Sequence, residues 1–237
     1  MAVAAVAGIL ITGASQGIGR SIAVELARSL PNPLILTARN QDGLEETARL
    51  CESAGGMKPE IICCDLTDSA ELKELVNRVS ERNCGVLVNN AGYFLPVAVL
   101  ENTIEEFREQ FEVNALSAIR LTQALLPHLS NQAEARAVFI CSVTAQKGQA
   151  RCGAYSVSKH ALNGYIQSLR EATQDTSVAV TSVILGQTHS PSWDGLGVDP
   201  ERLADAEDVG RIIATLCTLS ERSCVEEIVI RPQQGDL

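Results

Sequence analysis

Positive charge is in short supply in this sequence. Its 19 lysines and arginines face 29 aspartates and glutamates, a formal net charge of −10, and no basic block interrupts that balance. Such a surface repels nucleic acid and anionic membrane, so neither is an expected partner. A phosphate-bearing ligand would have to be held by backbone N–H groups and a few cations. Metal-ligand spacing is missing as well. There is no C-x-x-C pair, and His128, His160 and His189 are scattered, so no metal site is expected. His160 adjoins Lys159, but neighbours on a helix point roughly 100° apart. None of the three histidines is given a role.

A targeting segment is not expected either. The apolar start, Met1 to Ile11, has no basic flank, is too short to span a bilayer, and runs straight into glycines. It reads as a buried first strand. No repeat, low-complexity tract or linker divides the 237 residues, so the chain is expected to form one domain. Most of the eight cysteines sit in apolar runs such as Ile61-Ile62-Cys63-Cys64 and Phe139-Ile140-Cys141. They read as small hydrophobes and as free, reduced thiols of a cytoplasmic protein.

What the sequence does have is alternation. Short runs of aliphatic residues recur at Ile9–Thr12, Leu34–Thr37, Ile61–Cys64, Val86–Asn89, Val138–Ser142, Val178–Leu185 and Ile228–Arg231. Apolar on successive residues, they predict strands buried on both faces, as in a parallel sheet. Between them, helical periodicity predicts helices over Ile18–Leu30, Gly43–Ala54, Ser69–Asn83, Ile104–Leu129, Ala154–Ala172 and Glu207–Leu219. The fold class implied is α/β, a Rossmann-type doubly wound sheet of about seven strands with helices on both faces. Gly186 to Asp205 is weakly patterned, and its length and position suit a substrate loop.

Thr12-Gly13-Ala14-Ser15-Gln16-Gly17-Ile18-Gly19 joins the first strand to the first helix. Glycines there let the backbone turn sharply and approach a pyrophosphate, which then rests on helix N-terminal N–H groups. The spacing is G-x-x-x-G-x-G, which departs from the common G-x-G-x-x-G form. Twenty residues beyond Gly19, at the end of the second strand, stands Arg39. NAD-binding folds tend to place a carboxylate near here for the ribose 2′-hydroxyl, whereas arginine suits a 2′-phosphate. Ala38 beside it adds no repelling charge. NADP(H) is the cofactor this pattern predicts.

With that loop, Asn89-Asn90-Ala91-Gly92, Ser142 and Tyr155-Ser156-Val157-Ser158-Lys159 appearing in order, the chain resembles a short-chain dehydrogenase/reductase of the single-domain branch. The resemblance covers nearly the whole sequence. It implies that Gly13, Ser15, Gln16, Ile18 and Gly19 surround the pyrophosphate and its ribose. Asp65 and Leu66 would bracket the adenine, and Asn90, Ala91 and Gly92 would back the adenosine side. Ser190 would hold the nicotinamide carboxamide. Gly17, Ala38, Val113, Gly186 and Thr188 would line the same cofactor site, together with Tyr155 and Lys159 at the nicotinamide ribose. Two departures stand out. Leu185-Gly186 replaces the family's frequent Pro-Gly, and Gln16 stands where NADPH-binding members often carry a basic residue, which leaves the 2′-phosphate to Arg39.

Tyr155 and Lys159 are four apart, so on a helix they share one face. A neighbouring ammonium is expected to lower the tyrosine pKa and fit it to protonate a carbonyl oxygen as hydride arrives at the carbon. Ser142, at the carboxyl end of the fifth strand, can hold the same oxygen. Asn114 falls in a helical run, where the resemblance implies that its amide holds a water passing protons to Lys159. The helices around Asn114 and Lys159 would pack a homo-oligomer, a dimer or tetramer.

The substrate implied is a small carbonyl compound. Ser190-Pro191-Ser192-Trp193 and the tail Val225 to Pro232, ending Gly235-Asp236-Leu237, are similar to bacterial sepiapterin reductase-like members, whose substrate is a pterin with a ketone-bearing side chain. Trp193 would stack on a flat ring or close the loop over the nicotinamide. A 3-oxoacyl-thioester reductase is an alternative, disfavoured by the acidic surface. A non-catalytic NADP(H) sensor or scaffold is another, disfavoured because it would not need Ser142, Tyr155 and Lys159 together.

Overall fold

The apolar runs form seven parallel strands in a computed structural model that describes residues 7–236. Residues 1–6 of the apolar start, and Leu237 of the tail, lie outside the described residues. The strands are β1 (Gly8–Thr12), β2 (Leu34–Ala38), β3 (Glu60–Cys63), β4 (Cys84–Asn89), β5 (Ala135–Ser142), β6 (Val178–Leu185) and β7 (Glu227–Ile230). Their order is β3-β2-β1-β4-β5-β6-β7. The sequence therefore winds outward in one direction to β3, then crosses back to β4 and winds the other way. β1 and β4 are neighbours whose following connections leave in opposite directions, and a crevice opens between their carboxyl ends.

Helices cover both faces. α1 (Gly17–Ser29), α2 (Gln41–Ser53) and α7 (Ala206–Thr218) lie on one side, and α3 (Ser69–Ser80), α4 (Ile104–Phe111), α5 (Ser117–Ser130) and α6 (Gly153–Ala172) belong to the other. Side chains alternate across a strand, so β1 sends Leu10 into one apolar layer and Ile9 and Ile11 into the other. Phe139, Leu121, Leu125 and Ile166 fill the first layer, and Ile22, Leu44, Val138 and Ile213 fill the second, all fully or almost fully buried. Each such side chain contributes roughly 1.5–3 kcal/mol by leaving water. The five central strands meet the expectation of burial on both faces, whereas the edge strands β3 and β7 are partly exposed.

Several starts are capped by short polar side chains. Asn40 accepts from Gly43 N at the head of α2, Asp68 from Ala70 N and Glu71 N before α3, and Asp205 from Glu207 N before α7. All eight cysteines are free, and of those in the quoted apolar runs Cys63 is exposed rather than packed. No helix among the described residues is long and apolar enough to cross a membrane.

One prediction needs correction. The periodic stretch Ile104–Leu129 is not a single α-helix. A capping box of Thr103 and Glu106 starts α4, but Glu112–Leu116 forms a π turn before α5 begins. One extra residue in that turn swings Asn114 inward, where its amide finds backbone partners outside the helix. Apolar periodicity does not register the change, because α4 repeats Ile104, Phe107 and Phe111 at helical spacing although its buried residue is Gln110, and α5 then buries Leu121, Leu125 and Leu129.

Candidate active site

The glycine loop sits where the winding reverses. Gly13 has φ +64°, and a Cβ there would approach Ala91 Cα to 2.9 Å. A Cβ on Gly19 would fall 2.2 Å from the Gly13 carbonyl. The loop can fold this tightly only because both positions lack side chains. Gly17, with φ +55°, meets the far side of the cleft, since its Cβ would lie 3.0 Å from Pro191 Cδ.

Neighbouring β4 braces the loop. The Thr12 hydroxyl accepts from both Asn90 N and Ala91 N at 2.9 Å, while the Asn90 amide donates to the carbonyls of Thr12 at 2.9 Å and Gly13 at 3.2 Å. Asn90 thus holds the loop itself, a finer task than backing one side of a ligand. The sequence showed Thr12 as the first residue of the loop motif but gave it no task of its own.

From this loop a cleft of about 720 Å³ runs along the carboxyl edge of the sheet. Every residue expected to touch the cofactor lines it. Gly13, Ser15, Gln16, Gly17, Ile18 and Gly19 form its floor at the head of α1, and Ala38 and Arg39 border it at the end of β2. Asp65 and Leu66 follow β3, Asn90 to Gly92 follow β4, and Val113 comes from the π turn. Gly186, Thr188 and Ser190 close the far side. Arg39 is mostly exposed, and its guanidinium lies 3.9 Å from the Asp65 carboxylate. That carboxylate is held below its usual pKa by hydrogen bonds from Thr67, with Arg39 a lesser cause.

Ser142, Tyr155 and Lys159 meet at the other end of the cleft. Ser142 terminates β5, and its hydroxyl accepts from Thr144 N at 3.2 Å and from the Thr144 hydroxyl at 3.1 Å. Tyr155 and Lys159 come from the first turns of α6, on the shared face that their spacing predicted. Lys159 is buried, with Nζ donating to the Ile140 carbonyl at 3.1 Å and lying 5.8 Å from the Tyr155 ring centre.

The expected drop in the tyrosine pKa does not occur in the chain alone. Burial pushes the Tyr155 hydroxyl up, and a hydrogen bond with Ser142 offsets only part of that rise. Lys159 is shifted down, again mainly by burial. Tyr155 stands half-buried in the cleft wall; desolvation of its hydroxyl is the larger cause and the Ser142 hydrogen bond the lesser, while the Lys159 ammonium is engaged with the Ile140 carbonyl.

Asn114 stands one layer behind this wall, 1% exposed. Its amide nitrogen donates to Tyr93 O at 3.0 Å, to Gln110 Oε1 at 2.9 Å and toward Ser158 Oγ at 3.2 Å, while Oδ1 accepts from Tyr93 N at 2.8 Å. The side-chain amide is occupied with protein partners, which argues against its holding a relay water by itself. It positions the β4 exit instead. Gly92 lies between it and Lys159, with a hypothetical Cβ 2.7 Å from Asn114 Oδ1 and 3.8 Å from Lys159 Nζ.

Sequence reasoning also missed Phe94. Its ring meets Tyr155 edge-on at 5.1 Å and stacks against Trp193 at 6.2 Å and 26°. Only eight aromatic residues exist in the chain, so a Tyr93-Phe94 pair directly after Asn-Asn-Ala-Gly was an available signal. Trp193 belongs to the segment 186–205. That segment is closed at its base by Thr188 pairing with Ala204, including His189 N to Ala204 O at 2.9 Å.

This arrangement has relatives. The family described as short chain dehydrogenase matches residues 7–199. The chain belongs to that family. Among short-chain dehydrogenases, the sepiapterin reductase of Chlorobaculum tepidum is 31% identical over 238 residues, covering 97% of each protein. An alcohol dehydrogenase from Thermococcus sibiricus, solved with 5-hydroxy-NADP, superposes with a TM-score of 0.89 at 26% identity, over 98% of this chain and 99% of that one. The actinorhodin polyketide ketoreductase solved with NADPH gives 0.87 at 25% identity over the full length of both. As a short-chain dehydrogenase, the chain is an oxidoreductase.

Proposed function

We propose that this short-chain dehydrogenase is an NADPH-dependent reductase of a small ketone or aldehyde. The observation that carries the reading is the convergence of Ser142, Tyr155 and Lys159 in one cleft with the glycine loop and Arg39. The residues fit the cofactor: the loop is bare of side chains where a pyrophosphate must approach, and Arg39 offers a cation at the position suited to a 2′-phosphate. NADPH-bound, the site would have a hydride donor.

The chain supplies the rest. Tyr155, like any phenol, holds its proton at neutral pH, and burial strengthens that hold, so it is a donor there. Ser142, fixed by Thr144, holds the carbonyl oxygen that receives that proton. The ammonium of Lys159 offsets the negative charge left on Tyr155 and would hold the nicotinamide ribose once the cofactor is bound. Asn114 fixes Tyr93 and the Gly92 turn against Lys159. Phe94 and Trp193 exclude water and suit a flat substrate, and the segment 186–205 acts as the substrate loop. Likeness to a sepiapterin reductase supports a pterin with a ketone-bearing side chain as the first candidate.

Helix surfaces support a homo-oligomer of α4 and α6, where Ile104, Phe111 and Val157 are exposed. Sedimentation should give a dimer or larger, and a monomer would reject that part of the reading.

The test follows NADPH oxidation at 340 nm with sepiapterin, simple diketones and a 3-oxoacyl thioester, using wild type and Tyr155→Phe. Turnover by wild type, lowered about 10²–10⁴-fold in the variant with NADPH affinity kept, is the expected result. Tight NADPH binding without turnover on any carbonyl would instead favour a sensor.

A further inference from the structure

Arg20 follows Gly19 in α1, and its guanidinium folds back behind the glycine loop. Nε donates to Thr47 Oγ1 at 3.0 Å. One terminal nitrogen donates to the Ser15 carbonyl and, at 3.4 Å, to that of Gly43. All three acceptors are neutral oxygens. Thr47 is fully buried and extends the connection, its hydroxyl lying 2.8 Å from the Ala14 carbonyl and 2.9 Å from that of Gly43. Residues 14 and 15 of the loop are thereby fastened to the first two turns of α2.

The packing there is tight from the other side too. A Cβ on Gly43 would come within 2.8 Å of the Ser15 carbonyl and 2.9 Å of Ser15 Cβ. Asn40 caps the same turn by accepting from Gly43 N at 2.9 Å, and it directly follows Arg39. Arg20, Ser15, Asn40 and Arg39 are therefore parts of one frame.

Two physical consequences follow. With its carbonyl bound to Arg20, Ser15 does not turn that acceptor into the cleft, where it would repel a phosphate. Further, a half-buried guanidinium whose hydrogen bonds end on neutral oxygens leaves its positive charge unneutralised near the loop. A dianion is the complement to such a potential. Gln16 is uncharged and Arg39 is mostly exposed with Asp65 at 3.9 Å, so a second cation matters at this end of the cleft.

We propose that Arg20 is a positioning residue for the cofactor's 2′-phosphate, holding Ser15 and the Arg39–Asn40 turn in one frame and adding positive charge behind them. This rests on the NADPH reading above. It predicts selectivity for the phosphorylated ribose without any role in the chemical step.

The experiment is calorimetric titration of the full chain with adenosine 2′,5′-bisphosphate and with 5′-AMP, for wild type, Arg20→Met and Arg20→Lys, at several salt concentrations. Wild type should prefer the bisphosphate, with a steeper salt dependence. Arg20→Met should cut the affinity ratio about tenfold and flatten that dependence, with 5′-AMP affinity held within about twofold. Arg20→Lys keeps charge but loses the fork, so its ratio should fall about threefold. Should the methionine variant not fold, the lysine variant decides alone on that threefold fall. Equal weakening of both ligands would overturn the proposal in favour of a plain loop brace, and an unchanged ratio would overturn it outright. A wild type that does not discriminate would sink the NADPH reading together with this one, whereas discrimination kept in both variants would sink this one only.

Discussion

Tyr155 shows how environment overrides spacing. The i, i+4 relation with Lys159 places both side chains on one face of α6, yet burial raises the tyrosine and lowers the lysine. The two shifts have opposite signs and one consequence for pH. Tyr155 holds its proton into alkaline solution, while Lys159 gives its proton up below the usual lysine value of 10.5. As the ammonium becomes neutral, nothing offsets the charge developing on Tyr155. The rate of carbonyl reduction, followed as kcat/KM against pH, should therefore fall on the alkaline side with an apparent pKa below 10.5. A profile flat beyond that pH would refute the role given to Lys159.

Among the elements, the junction of β1 and α1 tolerates least. A methyl on Gly19 would lie 2.2 Å from the Gly13 carbonyl and 2.5 Å from the Asn90 amide nitrogen. Backbone cannot yield as a flexible side-chain end can. Gly19→Ala should lower unfolding free energy by about 1–3 kcal/mol, read from denaturant curves, and weaken NADPH binding by roughly tenfold or more through the displaced loop. Gly55→Ala is a useful contrast, because no atom lies within 4 Å of its Cβ position, although φ +96° strains it. That variant should lose stability and keep cofactor affinity.

The π turn is the element that the sequence did not reveal. Periodicity reports which face of a helix is apolar, and α4 and α5 each keep a consistent face. The extra residue at Glu112–Leu116 matters to the partners of Asn114, Tyr93 after β4 and Ser158 on α6, and these are remote in sequence. Interruptions of this kind occur often at functional sites.

For the whole molecule, a cofactor held in the cleft, whose walls run from the end of β2 to the residues after β6, would bind only the folded chain. At free NADPH about 100 times its Kd, that linkage adds about 2.7 kcal/mol. For a domain of this size the melting temperature should then rise by about 5–10 °C. NADH at the same concentration should give a smaller shift, because it lacks the 2′-phosphate proposed for Arg39. Equal shifts would argue against that preference.

The sequence alone determined the parallel sheet, because strands buried on both faces must be apolar at successive positions. It also determined which residues reach the cleft, since an ordered set of glycine loop, Asn-Asn-Ala-Gly, Ser142 and the Tyr155–Lys159 pair allows few other arrangements. Only the tertiary structure decided how those residues behave. Tyr155 is raised rather than lowered, Asn114 is a brace with no free donor, and Phe94 joins Tyr155 to Trp193. Each of these depends on desolvation or on contacts between distant segments, and neither is written in local spacing.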